Sequence, residues 1–172
     1  TRKYTGMTEE KVTELNEAFK KMDTRTGREQ LNELAQEAGR LGKNTLEDVK
    51  GYVEAADIIN VALVDLGEGA TQTIAKLTDI FGVSELMGTR DAMLAVGSTV
   101  NVLSQNCTAS KPYLVQFAQR MAGVGAQADL TIPQLLAFGA TLDANGQKVE
   151  MSASALGKLT MNLFQKPREI AK

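Results

Sequence analysis

The sequence predicts an all-α fold of about eight short helices. Three observations carry that prediction. Apolar residues recur at spacings of three and four along most of the chain, which places them on one face of a helix. Threonine, serine and proline signals for helix starts alternate with glycine-rich stops. No stretch alternates apolar and polar residues with β-branched enrichment, so no strand is expected.

Taken in order, residues 8–22 place Val12, Leu15, Phe19 and Met22 on one face. Thr8 is a capping residue there, and Glu9 and Glu10 suit the positive end of the helix dipole. A second helix is expected over 27–41, with Thr26 and Glu29 as a capping box and a stripe of Leu31, Leu34, Ala38 and Leu41. Gly42 ends it. Behind Thr45 a third runs over 46–66, burying Leu46, Val49, Val53, Ala56, Leu63 and Leu66, and stops at Gly67-Glu68-Gly69. The fourth, 70–81, carries Ile74, Leu77, Ile80 and Phe81. Thr89 opens a fifth to about 106 through Met93, Val96, Val100 and Leu103. Ser110 and Pro112 open a sixth to about 122, and Thr131 and Pro133 a seventh to about 144, since proline is tolerated in a first turn. Ser152 opens the last, to about 165, and Pro167 closes it.

The halves share local sequence. Leu31, Leu34 and Ala35 line up with Leu114, Phe117 and Ala118, and Lys76-Leu77-Thr78 with Lys158-Leu159-Thr160. Two readings fit: two related four-helix units over about 8–82 and 89–166, or chance agreement between two alanine-rich helical stretches.

Composition narrows the chemistry. The chain has 172 residues, 43% apolar and 23% charged, with a net charge of -2, which describes a globular chain with a real core. With no Trp, three Tyr and five Phe, that core rests on aliphatic and small side chains. There is no histidine, which removes the Ser-His-Asp triad, the Cys-His pair and histidine metal ligands. The single cysteine, Cys107, allows no internal disulfide and no thiolate zinc site. No apolar run approaches the roughly 18 residues needed to span a bilayer. The start at Thr1-Arg2-Lys3 reads as that of an excised fragment.

Several lookalike motifs fail on context. Gly123-Val124-Gly125 with Ala128 mimics a dinucleotide fingerprint, but a helix and not a strand precedes it. Gly42-Lys43-Asn44 lacks the first glycine and the Ser or Thr of a phosphate loop. Asp143-Ala144-Asn145-Gly146 has its glycine too early for a calcium loop and reads as a turn. Asn106-Cys107-Thr108 fits a glycosylation pattern that matters only on secretion. Ser154 and Lys158 read as a capping or surface pair and not a catalytic dyad. Asp57 and Asp65 read as the polar edges of an amphipathic helix. Lys20, Lys21, Arg25 and Arg28 form the one basic cluster, diluted by Asp23 and Glu29, and no specific nucleic-acid binding is expected. No catalytic, cofactor-binding or metal-binding residue is therefore assigned. Glycines within or beside the expected helices, among them Gly51, Gly97 and Gly139, each cost about 0.5–1 kcal/mol relative to alanine. They imply very close helix packing or a need to rearrange.

One family resemblance emerges. The order Leu34-Ala35, Ala38-Gly39, Leu41-Gly42, then Glu54-Ala55-Ala56-Asp57, then Ala75-Lys76-Leu77 and Ile80-Phe81-Gly82 resembles the conserved core of phage tail tape-measure proteins. So does the order Val96-Gly97-Ser98, Val100-Asn101, Leu103, then Phe117-Ala118, Arg120, Gly123, then Leu135 to Ala140, then Ser154-Ala155-Leu156. The likeness covers about residues 28–166. It sets residues 1–27 apart as a flanking helix or linker and 28–172 as a compact core module. The resemblance implies a structural role without catalysis, in tail assembly, tail-length determination and genome delivery. It implies tail tube and tail-assembly chaperone proteins as partners, with self-association through an Ala/Gly-rich apolar surface. It places the protein in the tail lumen of the virion, and in the host cytoplasm during assembly. A ruler segment should be one long helix or coiled coil. Fully helical, the chain would measure roughly 260 Å, but expected helices of 12–21 residues with glycine breaks suit a compact body of radius about 16 Å. The alternatives are a helical adaptor of another assembly, and a lysozyme-like hydrolase working through a glutamate in a cleft.

Overall fold

The computed structural model describes residues 2–22, 24, 26–67 and 69–165. Among them every regular element is helical. Eight helices exceed ten residues: α2 (Glu9–Lys21), α3 (Arg28–Arg40), α4 (Leu46–Ala62), α5 (Ala70–Ile80), α7 (Thr89–Asn106), α8 (Lys111–Gln127), α9 (Ile132–Ala144) and α10 (Val149–Gln165). Two short ones, α1 (Arg2–Thr5) and α6 (Val83–Met87), and a 3-10 turn at Val64–Leu66 are additions to the expected set. The chain divides into two compact units, Thr1–Gly97 and Ser98–Lys172.

In the first unit α4 is the hub, packed by α2, α3, α5 and the 3-10 turn. Its burial explains its composition. Gly51, Tyr52, Val53, Ala55, Ala56 and Asp57 are all buried, so the helix is covered around most of its girth and not along one stripe. Two glycines set its distance from the start of α7. A Cβ on Gly51 would come within 3.1 Å of the Arg90 backbone nitrogen, and one on Gly97 within 3.2 Å of Ile59. The contacts 48–89, 51–90 and 59–97 advance together along both helices, so α4 and the first half of α7 run parallel. By contrast α2 buries only Leu15 and Phe19 beneath a Thr8 cap. Each such side chain contributes about 1.5–3 kcal/mol.

The second unit is organised on α8, against which both α9 and α10 pack. Phe117 lies against Gly139 of α9, where a Cβ would sit only 2.8 Å from the ring. Leu114, Ala118, Met121 and Ala122 complete the buried face of α8. Tyr113 stitches the bundle from its edge, donating to the Gln147 carbonyl and sharing a hydrogen bond with Ser152, each at 3.0 Å.

Several boundaries differ from expectation, each for a local reason. Gly27, not Thr26, is the N-cap of α3, and it makes no side-chain capping bond. The Thr26 hydroxyl is taken instead by Asp57. The third helix breaks at Leu63, whose backbone (φ -125°, ψ 52°) leaves the helical region before the 3-10 turn. Gly67 and Gly69 follow with positive φ, and Glu68 lies outside the described residues. Helix α8 runs on through Gly123 and Gly125 to Gln127. It ends in a Schellman turn centred on Asp129 at φ 52°, with Leu130 donating back to Gly125 and Asp129 to Ala126. Helix α10 starts at Val149, so Ser152 is a buried partner of Tyr113 and not a cap. Ile80 is half exposed, and Pro167 lies outside the described residues.

Candidate functional site

The polar groups of the first unit converge on α4. Thr45 caps it and donates to Asp48 at 2.6 Å, while Thr89 at the start of α7 donates to the same carboxylate at 2.9 Å. The Thr45 bond, then the Thr89 bond and Lys43, hold the Asp48 carboxyl below the usual range against the opposing effect of burial. Tyr52 donates to Glu37 of α3 at 3.1 Å. Burial, and then the neighbouring Glu37 charge, push its phenol far above the ordinary value. Thr71 donates to Asn60 at 2.7 Å, and Lys43 pairs with Asp79 of α5 at 2.6 Å.

A cavity of about 620 Å³ opens between α2, α4 and the start of α7. Its walls carry both signs of charge: Glu14, Glu17 and Lys21 from α2, and Lys50, Glu54 and Asp57 from α4, with Arg90 from α7. Arg90 is bonded to Glu54 at 3.0 Å and to Asp91 at 2.8 Å, and Lys50 stands 3.8 Å from Glu54. A hydrogen bond from Lys20 holds the Glu17 carboxyl below its ordinary value. Ala18, Met22 and Ile58 supply the apolar wall.

Asp57 is the departure from expectation. It is no edge residue: it is 5% exposed and bonded to Thr26, because α2 and the turn after it lie over that side of α4. Asp65 is exposed, so the two carboxylates do not meet in one environment.

Other sequence lookalikes fall where ordinary helix chemistry explains them. Gly123 to Gln127 lies inside α8. Gly42 and Lys43 form the Schellman end of α3, with Lys43 donating back to Ala38. Asn145 and Gly146 form that of α9, with Gln147 donating back to Leu142. Asp143 accepts from Thr108 at 2.9 Å. Ser154 and Lys158 are both exposed on α10, and Cys107 is a half-buried free thiol. Of the basic cluster, Lys20 pairs with Glu17, while Arg25 and its neighbour Asp23 lie outside the described residues. No described glutamate is buried, and no described group of three or more acidic or cysteine side chains is arranged to hold a metal. No described helix is long and apolar enough to cross a membrane.

The surface carries both small and large apolar side chains. Gly51, Gly97 and Gly139 face neighbouring helices, while Ala62, Ala95, Ala137 and Ala155 are exposed. Among the larger exposed side chains are Val64 and Leu86 in the first unit, and Met151, Leu159, Met161, Leu163 and Phe164 along α10 in the second. The buried side of α10 is Val149, Ser152, Ala153, Gly157 and Thr160. Past Thr160 the helix is exposed on every described face as far as Phe164.

A family model described as phage-related minor tail protein matches residues 9–172. The match takes in α2, which the tape-measure-like pattern of 28–166 leaves out. No curated protein and no solved structure matches the chain. Since the family match spans nearly all of it, the chain belongs to the phage-related minor tail protein family.

Proposed function

We propose that this member of the phage-related minor tail protein family is a structural module of a tail tape-measure protein. In this reading it does no chemistry. The module, residues 28–172, docks on tail tube and tail-assembly chaperone proteins, associates with itself, and contributes to tail-length determination and genome delivery. It is made in the host cytoplasm and ends in the tail lumen of the virion.

The observation that carries this is the family match over residues 9–172, joined to the order of short motifs that resembles the tape-measure core. Helix length supports a module and not the rod: α7, at 18 residues, spans only about 27 Å. Uncovered Met, Leu and Phe side chains on α10 support docking, since large exposed apolar patches mark interaction surfaces. The two-unit repeat has support in the helix ends. Both α3 and α8 end in Schellman turns, pass within a few residues into threonine-capped helices, and pack against them.

The test is an in-frame deletion of residues 28–166 from the parent gene, read by electron microscopy of the tails. Absent or shortened tails are expected. Particles with tails of unchanged length and full infectivity would sink the proposal.

A further inference from the structure

Asn145 is the one asparagine of the chain that precedes a glycine. The pair closes helix α9, and both residues are exposed to water. A glycine has no side chain to shield its peptide nitrogen, so that nitrogen can reach the carboxamide carbon of the residue before it and close a five-membered ring. After every other asparagine stands a residue with a side chain, among them Thr45, Val61, Val102 and Leu163. The folded turn holds the reacting atoms apart. The Asn145 carboxamide is drawn back along α9, its Nδ2 donating to the Thr141 carbonyl at 2.8 Å. The Gly146 N–H, which must lose its proton before it can attack, donates to the Asp143 carbonyl at 2.7 Å. With ψ 13° at Asn145, the Gly146 nitrogen stands about a third of a turn about the Cα–C bond from the position that faces the side chain. Gly146 takes φ 72°, and Gln147 closes the turn by donating back to Leu142 at 3.1 Å. Tyr113 of α8 ties this turn to the bundle by donating to the Gln147 carbonyl at 3.0 Å.

We infer that Asn145 is a self-modifying site gated by this turn. When the turn opens, the Gly146 nitrogen gives its proton to water and attacks Asn145 Cγ. The N–Cγ bond forms, the Cγ–Nδ2 bond breaks, and the leaving nitrogen takes a proton back from water to depart as ammonia. Water then adds to one of the two carbonyls of the resulting succinimide and opens it. One opening gives aspartate. The other gives isoaspartate, in which the backbone runs through Cβ and Cγ. That extra methylene lies at the end of α9, so the bonds from Gly146 and Gln147 back to the helix no longer fit together, and the acceptor of Tyr113 is displaced. The step is one-way: an opening of the second unit is fixed as a covalent change that stops the turn from closing. It depends on this turn alone and not on the assembly role proposed above.

The test is incubation of the 172-residue chain at mildly alkaline pH, with and without unfolding concentrations of urea, followed by peptide mass spectrometry that separates aspartyl from isoaspartyl products. Conversion is expected at Asn145 before any other asparagine, and at least about tenfold faster in urea, where the turn is always open. Tyr113→Phe removes one bond from the turn and should speed the reaction of the folded chain by about two- to tenfold, with the rate in urea unchanged. The isoaspartyl chain should unfold at a lower urea concentration than Asn145→Asp, which carries the same charge on an ordinary backbone. Equal rates with and without urea would overturn the gate, as would a folded Tyr113→Phe chain that reacts no faster than its parent. First conversion at another asparagine in urea would overturn the site. Equal unfolding midpoints for the isoaspartyl chain and Asn145→Asp would overturn the one-way step.

Discussion

The two units solve the same problem, covering a central helix, in opposite ways. The hub of the first, α4, carries polar groups on several sides: Asp48, Tyr52, Asp57 and Asn60 each bond to a different neighbouring element. The hub of the second, α8, is covered by shape. Phe117 fits over Gly139, and Met121 lies against Gly157 at 3.6 Å from where a Cβ would be. Its polar contacts, through Tyr113 and Arg120, stay at the edge. The difference teaches where each unit is vulnerable. One should fail when a hydrogen bond is lost, the other when volume changes.

Four measurements can break or sharpen that contrast. The largest effect belongs to Phe117→Ala, which empties the fully buried centre of the second unit and should cost about 3–5 kcal/mol in denaturant unfolding. Less than about 1 kcal/mol would mean that the unit does not depend on shape. Next comes Thr26→Val, which leaves Asp57 buried without its donor and should cost about 1–3 kcal/mol. If it proves neutral, the polar account of α4 is wrong.

Third is alkaline pH. The folded value of Tyr52 is raised, so its stabilising contribution is whole below the unfolded value near 10 and is lost as pH rises above it. At pH 11 the loss should be about 1.4 kcal/mol, and absent in Tyr52→Phe. Identical alkaline profiles for the two proteins would remove this effect. The smallest effect concerns two glycines of the second unit. Gly123→Ala meets nothing within 4 Å and should stabilise by about 0.5–1 kcal/mol. Gly139→Ala must displace the Phe117 ring and should destabilise. The same sign for both would show that the ring is not fixed.

The sequence made the eight long helices legible because their signals are local: an apolar period, a threonine or serine cap, a proline in the first turn. Thr8, Thr45, Ser110 and Thr131 all cap as expected. What was hidden depends on distant partners or on unusual backbone. Thr26 has the sequence of a cap, but the carboxylate that takes its hydroxyl is 31 positions away. The end of α8 was placed at its glycines, while the left-handed residue that ends it is Asp129, which tolerates that conformation less easily than glycine. The cavity could not be read at all. Its walls come from three helices, and the sequence presents Asp57 as one acidic residue among many.

The parallel contact of α4 with α7 has an evolutionary consequence. Ile59 fills the space that a side chain at position 97 would need, and Arg90 borders the space above position 51. Homologous chains are therefore expected to vary these positions in pairs: a larger residue at 97 only with a smaller one at 59, and a side chain at 51 only where the start of α7 has drawn back. Such trade-offs would leave a record of the pairing in any alignment deep enough to show them.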